Sequence, residues 1–210
     1  MAKLIKGING PVRGKVGTVI GSSWRGIPYI KGPYKERTGK AGVAEAGNRS
    51  KFGEAQRWLK PVVKFVREGF KGYSEVVYGF IAAKSHLLLH AFEGVAPDLY
   101  INPALAKVSF GDLPLSGDIS VGKIAPGQLQ FMWDPASVGM GHDKDQAMLL
   151  AYDIDNGKAY FTTIGQFRSV GSDILHTDPT AGKTYHIYFA FNAADRSRQS
   201  DSVYLGALTM

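Results

Sequence analysis

The stretch KTYHIYFAFN, residues 183–192, decides the fold of the second half of this chain. Tyr185, Ile187, Phe189 and Phe191 alternate with His186, Tyr188 and Ala190, the two-residue period of a strand with one wholly buried face. The same grammar extends outward. Short segments at 128–133, 148–154, 158–163 and 202–208 are rich in branched and aromatic residues and are bounded by Gly, Pro, Asp and Asn. Asp155-Asn156-Gly157 separates two of them, and Asn-Gly tolerates the positive φ angles of a tight hairpin. The spacing predicts an all-β body over 98–210, a β-sandwich whose apolar alternation is self-contained.

Upstream the period changes. Phe52, Ala55, Trp58, Val62, Phe65 and Val66 recur mostly at intervals of three and four, which predicts a helix over about 43–71. Pro61 lacks a backbone donor and should kink or split it. A second helix is expected over about 74–92, with Ser74 as its N-cap and Gly94 and Pro97 as its stop. Two helices joined by a short turn pack as an antiparallel hairpin. Nearer the start, strand-like runs at 15–20 and 27–31 flank Ser22 to Gly26, so a β-hairpin over 15–31 is expected. The segment GPYKERTGK (32–40) follows as an exposed linker. The predicted class is therefore α+β: a basic N-terminal region over 1–97, holding a β-hairpin and a helical hairpin, then the sandwich over 98–210.

The order of motifs in the second half resembles fibronectin type III and immunoglobulin-like modules. LQFMWDP (129–135) is similar to their second strand, AMLLAYDIDNGKAYF (147–161) to the next two, and DPTAGKTYHIYFAFNAADRSRQSDS (178–202) to the sixth strand and its flanks. The resemblance implies that Trp133 is the core tryptophan and Tyr185 a tyrosine-corner residue whose hydroxyl bonds to nearby backbone. KGINGPVRGKVGTVIGSSWRGIPYIKG (6–32) resembles the opening of an uncharacterised Bacteroidota family of unknown function. The members of that family also continue with a basic helical stretch and end in a YLG-type strand, here Tyr204-Leu205-Gly206. That resemblance implies no activity, substrate or catalytic residue.

Charge is divided unevenly. The formal net charge is +7, but residues 1–97 carry 17 Lys and Arg against 6 Glu, so +11, and residues 98–210 carry 8 against 12 Asp, so −4. Lys60, Lys64, Arg67 and Lys71 fall at spacings of four, three and four and line one helix face, with Arg49 and Arg57 extending it less regularly. Arg13, Lys15, Arg25 and Lys31 add charge to the N-terminal strands, where Trp24, Tyr29 and Tyr34 interleave with them. Lys60, Lys64, Arg67, Lys71, Arg13, Lys15, Arg25 and Lys31 are the candidate polyanion-binding residues.

Other motifs fail on spacing. Three residues, Pro11 to Arg13, separate Gly10 from Gly14-Lys15, one too few for a phosphate-binding loop, and Val16 stands where a hydroxyl is needed. DIDNG (153–157) opens like a calcium loop, but its twelfth position is Ile164 rather than Glu. GHDKD (141–145) reads as a solvated connector, and His86 and His90, four apart, as helix-surface residues. The absence of cysteine excludes disulfides, thiolate catalysis and Cys-based zinc sites, and fits a cytoplasmic or virion-like location. No signal peptide is read, and the longest apolar run, around Phe80 to Phe92, is too short and polar to span a bilayer.

The expectation is a non-enzymatic structural or assembly protein, phage-related or part of a particle. It needs no cofactor, metal or small-molecule substrate, contacts no membrane, and forms a homo-oligomer or larger assembly through its oppositely charged halves. The alternative is a nucleic-acid-binding protein that grips phosphates with its basic half.

Overall fold

A computed structural model describes residues 3–4, 6–7, 10–24, 26–36, 39–40, 42–74, 77, 79–95 and 98–210. The chain divides into two compact units, Met1–Gly42 and Val43–Met210.

The first unit is an antiparallel sheet of four strands in sequence order: β1 (Lys3–Leu4), β2 (Val12–Val16), β3 (Val19–Trp24) and β4 (Ile27–Lys31). The expected single hairpin is thus a meander. Ser22 to Trp24 continue β3 instead of forming the turn, and Lys15 and Val16 close the preceding strand. Two-residue links make this possible: Val16 pairs with Val19, and Trp24 with Ile27, across Gly26 at φ +84°. The strands come very close at Gly21, where a Cβ would lie 2.0 Å from the Val12 carbonyl oxygen. Gly21 is also the one buried residue among the described residues of this unit.

In the second unit Pro61 does split the first predicted helix. It gives α1 (Val43–Leu59) and α2 (Val63–Gly69), and α3 (Gly79–His90) follows. Ser74 caps the turn ahead of α3: its hydroxyl accepts a 2.7 Å bond from the Val77 N–H, five residues before the helix begins. Short strands β5 (Phe92–Glu93) and β6 (Tyr100–Ile101) pair with each other and lead into the β body. That body has seven strands: β7 (Gly117–Ala125), β8 (Gln128–Asp134), β9 (Gln146–Asp153), β10 (Lys158–Thr162), β11 (Ser172–His176), β12 (Thr184–Asn192) and β13 (Val203–Thr209). They form two antiparallel sheets, ordered β11-β8-β7 and β10-β9-β12-β13.

The two sheets share one core. Leu129, Phe131 and Trp133 of β8 meet Ala147, Leu149 and Ala151 of β9 and Ile187, Phe189 and Phe191 of β12. Trp133 is buried as expected, and its indole N–H donates to the Arg168 carbonyl at 2.7 Å. The opposite faces of β9 and β12 are not solvated. Met148, Leu150, Tyr152, Tyr188 and Ala190 belong to a second core completed by Trp58, Phe65, Phe70, Ala83 and Leu87 of the helical segment. Strand register fixes this division: Phe189 pairs with Leu149 on one face, and Tyr188 with Leu150 on the other. Trp58 stands edge-on to Tyr152 with ring centroids 5.2 Å apart. The helices are therefore a third layer of one body, and the expected boundary at 97/98 runs through its core.

The end of α2 also meets the connecting segment 108–110 through backbone. At Gly69 an added Cβ would sit 2.4 Å from the Val108 carbonyl oxygen. That clearance lets the Phe110 N–H donate to the Gly69 carbonyl at 2.9 Å, while the buried Ser109 hydroxyl bonds the Ser200 carbonyl at 2.7 Å. Among the described residues no helix is long and apolar enough to cross a membrane.

Tyr185 departs from the tyrosine-corner expectation. Its ring is buried, but its hydroxyl has no hydrogen-bond partner. The tyrosine hydroxyls that bind backbone are on the other face: Tyr152 donates to the Trp58 carbonyl at 2.7 Å and Tyr188 to the Pro103 carbonyl at 2.8 Å. Removal of an unpaired buried hydroxyl costs little, whereas removal of a paired one strands its acceptor. Tyr185→Phe should leave the urea midpoint within about 0.5 kcal/mol of wild type or raise it, and Tyr188→Phe should cost about 1 kcal/mol. The layering makes a second expectation. Residues 43–210 should unfold cooperatively on their own, whereas 98–210 would expose the face of Met148, Leu150 and Tyr188 and should aggregate or bind a hydrophobic dye. A monomeric, dye-negative 98–210 fragment would refute the third-layer role of the helices.

Candidate interaction surfaces

The inward residues of α2 and its flanks, Val62, Phe65, Val66, Gly69 and Phe70, are all buried, so Lys60, Lys64, Arg67 and Lys71 fall on the outer side, and all four are exposed. Three of them come together. Lys60, Arg67 and Lys71, with Glu68 among them, line an open hollow of about 620 Å³ whose apolar lining includes Val63, Phe80 and Ile81. Lys64 is not part of that lining. A neighbouring hollow of about 400 Å³ shares Gln56, Phe80 and Ile81 and adds Phe52, Lys84 and Leu88. The two form one trough between the helices. The Lys84 ammonium lies 4.0 Å from the centre of the Phe52 ring and donates to Gln56 Oε1 at 2.8 Å; burial lowers its pKa. Phe52 and Ile81 are 54% and 58% exposed, unusually high for a phenylalanine and an isoleucine on packed helices. Arg49 and Arg57, the irregular extensions of the stripe, pair with Glu45 and Glu54 on their own helix.

The second set of cations is on the N-terminal sheet. Lys15 and Lys31 flank Ile20 as its direct partners on either side, about 10 Å apart by two strand spacings. The two-residue alternation puts Ser22, Tyr29, Trp24 and Ile27 on that same face. Lys31 donates to the Tyr34 hydroxyl at 3.2 Å, and this bond raises the pKa of the ammonium. Arg13 is exposed on β2 opposite Lys3. Arg25 lies outside the described residues. Trp24 and Ile30 are 55% and 66% exposed, and Val16, Val19, Ile27 and Tyr29 are also well exposed.

In the loop 141–145, Gly141, Asp143 and Lys144 are exposed as its composition suggests, but its last residue is not. Asp145 is buried and its carboxylate accepts from Arg168 Nη2 at 3.2 Å, with His142 Nδ1 at 2.8 Å. Arg168 is 1% exposed, stacks over Phe191 at 3.7 Å, and donates to the Ser116 hydroxyl and the Pro114 carbonyl, both at 2.8 Å. No sequence signal marks this pair, since 22 residues separate its partners. The DIDNG segment is a hairpin turn, with Asp153 accepting from the Asn156 N–H at 3.0 Å and from its side-chain amide at 2.8 Å. His86 is buried, contrary to the surface reading, and its ring centroid is 4.5 Å from that of His90. Burial, then the His90 charge, lowers the His86 pKa. Among the described residues no three His, Cys, Asp or Glu side chains gather as a metal would require.

Breaking a buried ion pair from one side leaves an uncompensated charge. Asp145→Ala should therefore destabilise the protein by about 3–5 kcal/mol, read as the shift of the denaturation curve. The double change Asp145→Leu with Arg168→Met should cost less than Asp145→Ala alone, and an equal or greater loss would show that the pair is not the unit that matters.

A family model described as a family of unknown function, DUF6266, matches residues 11–206, and the chain belongs to that family. No curated protein and no solved structure matches it.

Proposed function

Since membership of that family brings no activity with it, we propose from the surfaces that this chain is a non-enzymatic assembly protein. It self-associates by docking its basic N-terminal sheet on the acidic C-terminal half of another copy, as a repeating component of a particle or filament. One observation carries the reading: a four-stranded sheet in which, among the described residues, no side chain is buried, while Val16, Val19, Trp24, Ile27 and Ile30 stay exposed. By register Val16, Val19 and Ile30 lie on one face, and Trp24 and Ile27 on the other beside Lys15 and Lys31. A sheet needs at least one apolar face covered to be stable, so this one calls for a surface that its own unit does not supply. Its charge restricts the choice. Residues 1–42 hold nine Lys and Arg and one Glu, a net +8, so two such sheets repel each other, whereas residues 98–210 carry −4. A contact between unlike patches repeats head to tail, closing into a ring or running on as a filament.

The body of the repeating unit is, in this reading, a sandwich of the fibronectin type III kind. The strand orders β11-β8-β7 and β10-β9-β12-β13, and a buried tryptophan on β8, support that assignment. The helical layer on the outer face of the four-stranded sheet is an addition to it.

A specific feature favours nucleic acid as the second reading. Lys15 and Lys31 share a face with exposed Trp24 and Tyr29, a combination that suits phosphates and stacked bases. Sedimentation velocity across protein concentration, at about 0.05 and 0.5 M salt, separates the two. The full chain should form concentration-dependent species that weaken at high salt, and deletion of residues 1–42 should leave a folded monomer. A full chain that stays monomeric at low salt, and assembles on added duplex DNA alone, would replace the first reading with the second.

A further inference from the structure

The trough between the helices is a surface separate from the N-terminal sheet, and its chemistry is mixed in a defined way. Its floor is apolar: Val63, Phe80, Ile81, Phe52 and Leu88. Cations stand along it, with Lys60, Arg67 and Lys71 at one end and Lys84 at the other. From Gly79 to Leu88 it follows nine residue steps of α3, about 14 Å at 1.5 Å per step. Ten residues of helix have that length, enough for apolar anchors at i, i+4 and i+7.

Each alternative occupant meets a physical obstacle. An extended peptide would find no free strand edge, because the walls come from α1, α2 and α3, whose backbone groups bond within their own turns. A helix needs no such edge, since its backbone is already paired. Duplex nucleic acid would press phosphates against Phe80 and Ile81 and meet Glu68 among the cations. A free fatty acid needs a pocket that encloses most of its surface, and this trough is open along its length, with Phe52 and Ile81 more than half exposed. A basic segment such as residues 1–42, with its net +8, lacks the acidic groups that the rim calls for.

We propose that this trough docks a short amphipathic helix of a partner protein, two to three turns long, with an apolar stripe on the floor and an acidic flank against Lys60, Arg67, Lys71 and Lys84. The apolar stripe supplies the affinity and the cations set orientation and select against basic helices. Lys64 serves as an internal control. It carries the same charge, shares α2 with Arg67, is likewise exposed, and lies outside the trough lining.

The test is fluorescence anisotropy of the full chain with a labelled 16-residue helix bearing Leu at i, i+4 and i+7 and Glu elsewhere on its flanks. Comparison probes are the same peptide with Lys for Glu, a scrambled order of the acidic peptide, laurate, and a 20-base-pair duplex. The acidic helix should bind saturably with a dissociation constant on the order of 10–100 μM. Ile81→Asp should weaken it at least about tenfold, as should Arg67→Glu with Lys71→Glu, whereas Lys64→Glu should change it less than about twofold. These side chains are exposed, and circular dichroism confirms that each variant is folded. The proposal fails if no saturation is reached by millimolar peptide, if the scrambled or basic peptide binds as well, or if Lys64→Glu is as damaging as the trough changes. Displacement of nothing but laurate or the duplex by Ile81→Asp would assign the trough to that ligand instead.

Discussion

The central strands β9 and β12 have no face left for water, and the rest of the second unit is arranged around that condition. Every residue of β9 after Gln146 is buried. One set of side chains faces the sheet of β7, β8 and β11, the other faces α1, α2 and α3. Neither covering layer can be removed without exposing half of each central strand. The Tyr152 hydroxyl, at the Trp58 carbonyl, ties α1 to the sheet, and the Tyr188 hydroxyl, at the Pro103 carbonyl, ties the turn after β6 to it. Their polar tips require partners because the surrounding core excludes water.

Much of this was legible in the residues. The period-two run at 184–192, the Asn-Gly turn at 156–157 and the break at Pro61 all translate directly into strand, hairpin and helix end, because each is a local steric or hydrogen-bonding requirement. What was not legible is which faces meet. Tyr188 and Ala190 look like the lesser face of a one-sided strand. Nothing local reveals that Phe65 and Leu87, about a hundred residues upstream, complete that face. The same holds for Tyr185: the sequence order matches a corner tyrosine, but whether a carbonyl lies within reach of its hydroxyl depends on a loop placed by tertiary packing.

The candidate surface divides in the same way. Helical spacing reads Lys60, Lys64, Arg67 and Lys71 as one stripe; all four are exposed, but only Lys64 and Arg67 lie on α2, and Lys64 is not part of the trough lining that holds the other three. Phe52 and Ile81 look like core positions by period, and the packing leaves both in contact with solvent. Buried Arg168 is the opposite case, a cation that composition assigns to the surface and the fold encloses, with Asp145, Ser116 and the Phe191 ring in place of water.

The shared core of helices and late strands also imposes an order on synthesis. The apolar side of α1 to α3 leaves the ribosome long before β12, which closes over it from residue 184 onward. At roughly 5–20 residues per second, that delay is on the order of 10 s. During that interval Trp58, Phe65 and Phe70 are available to any apolar surface nearby, and the nascent helical hairpin is the species a chaperone would meet. Met148, Leu150 and Tyr152 of β9 emerge first, and Tyr188 and Ala190 of β12 complete the cover.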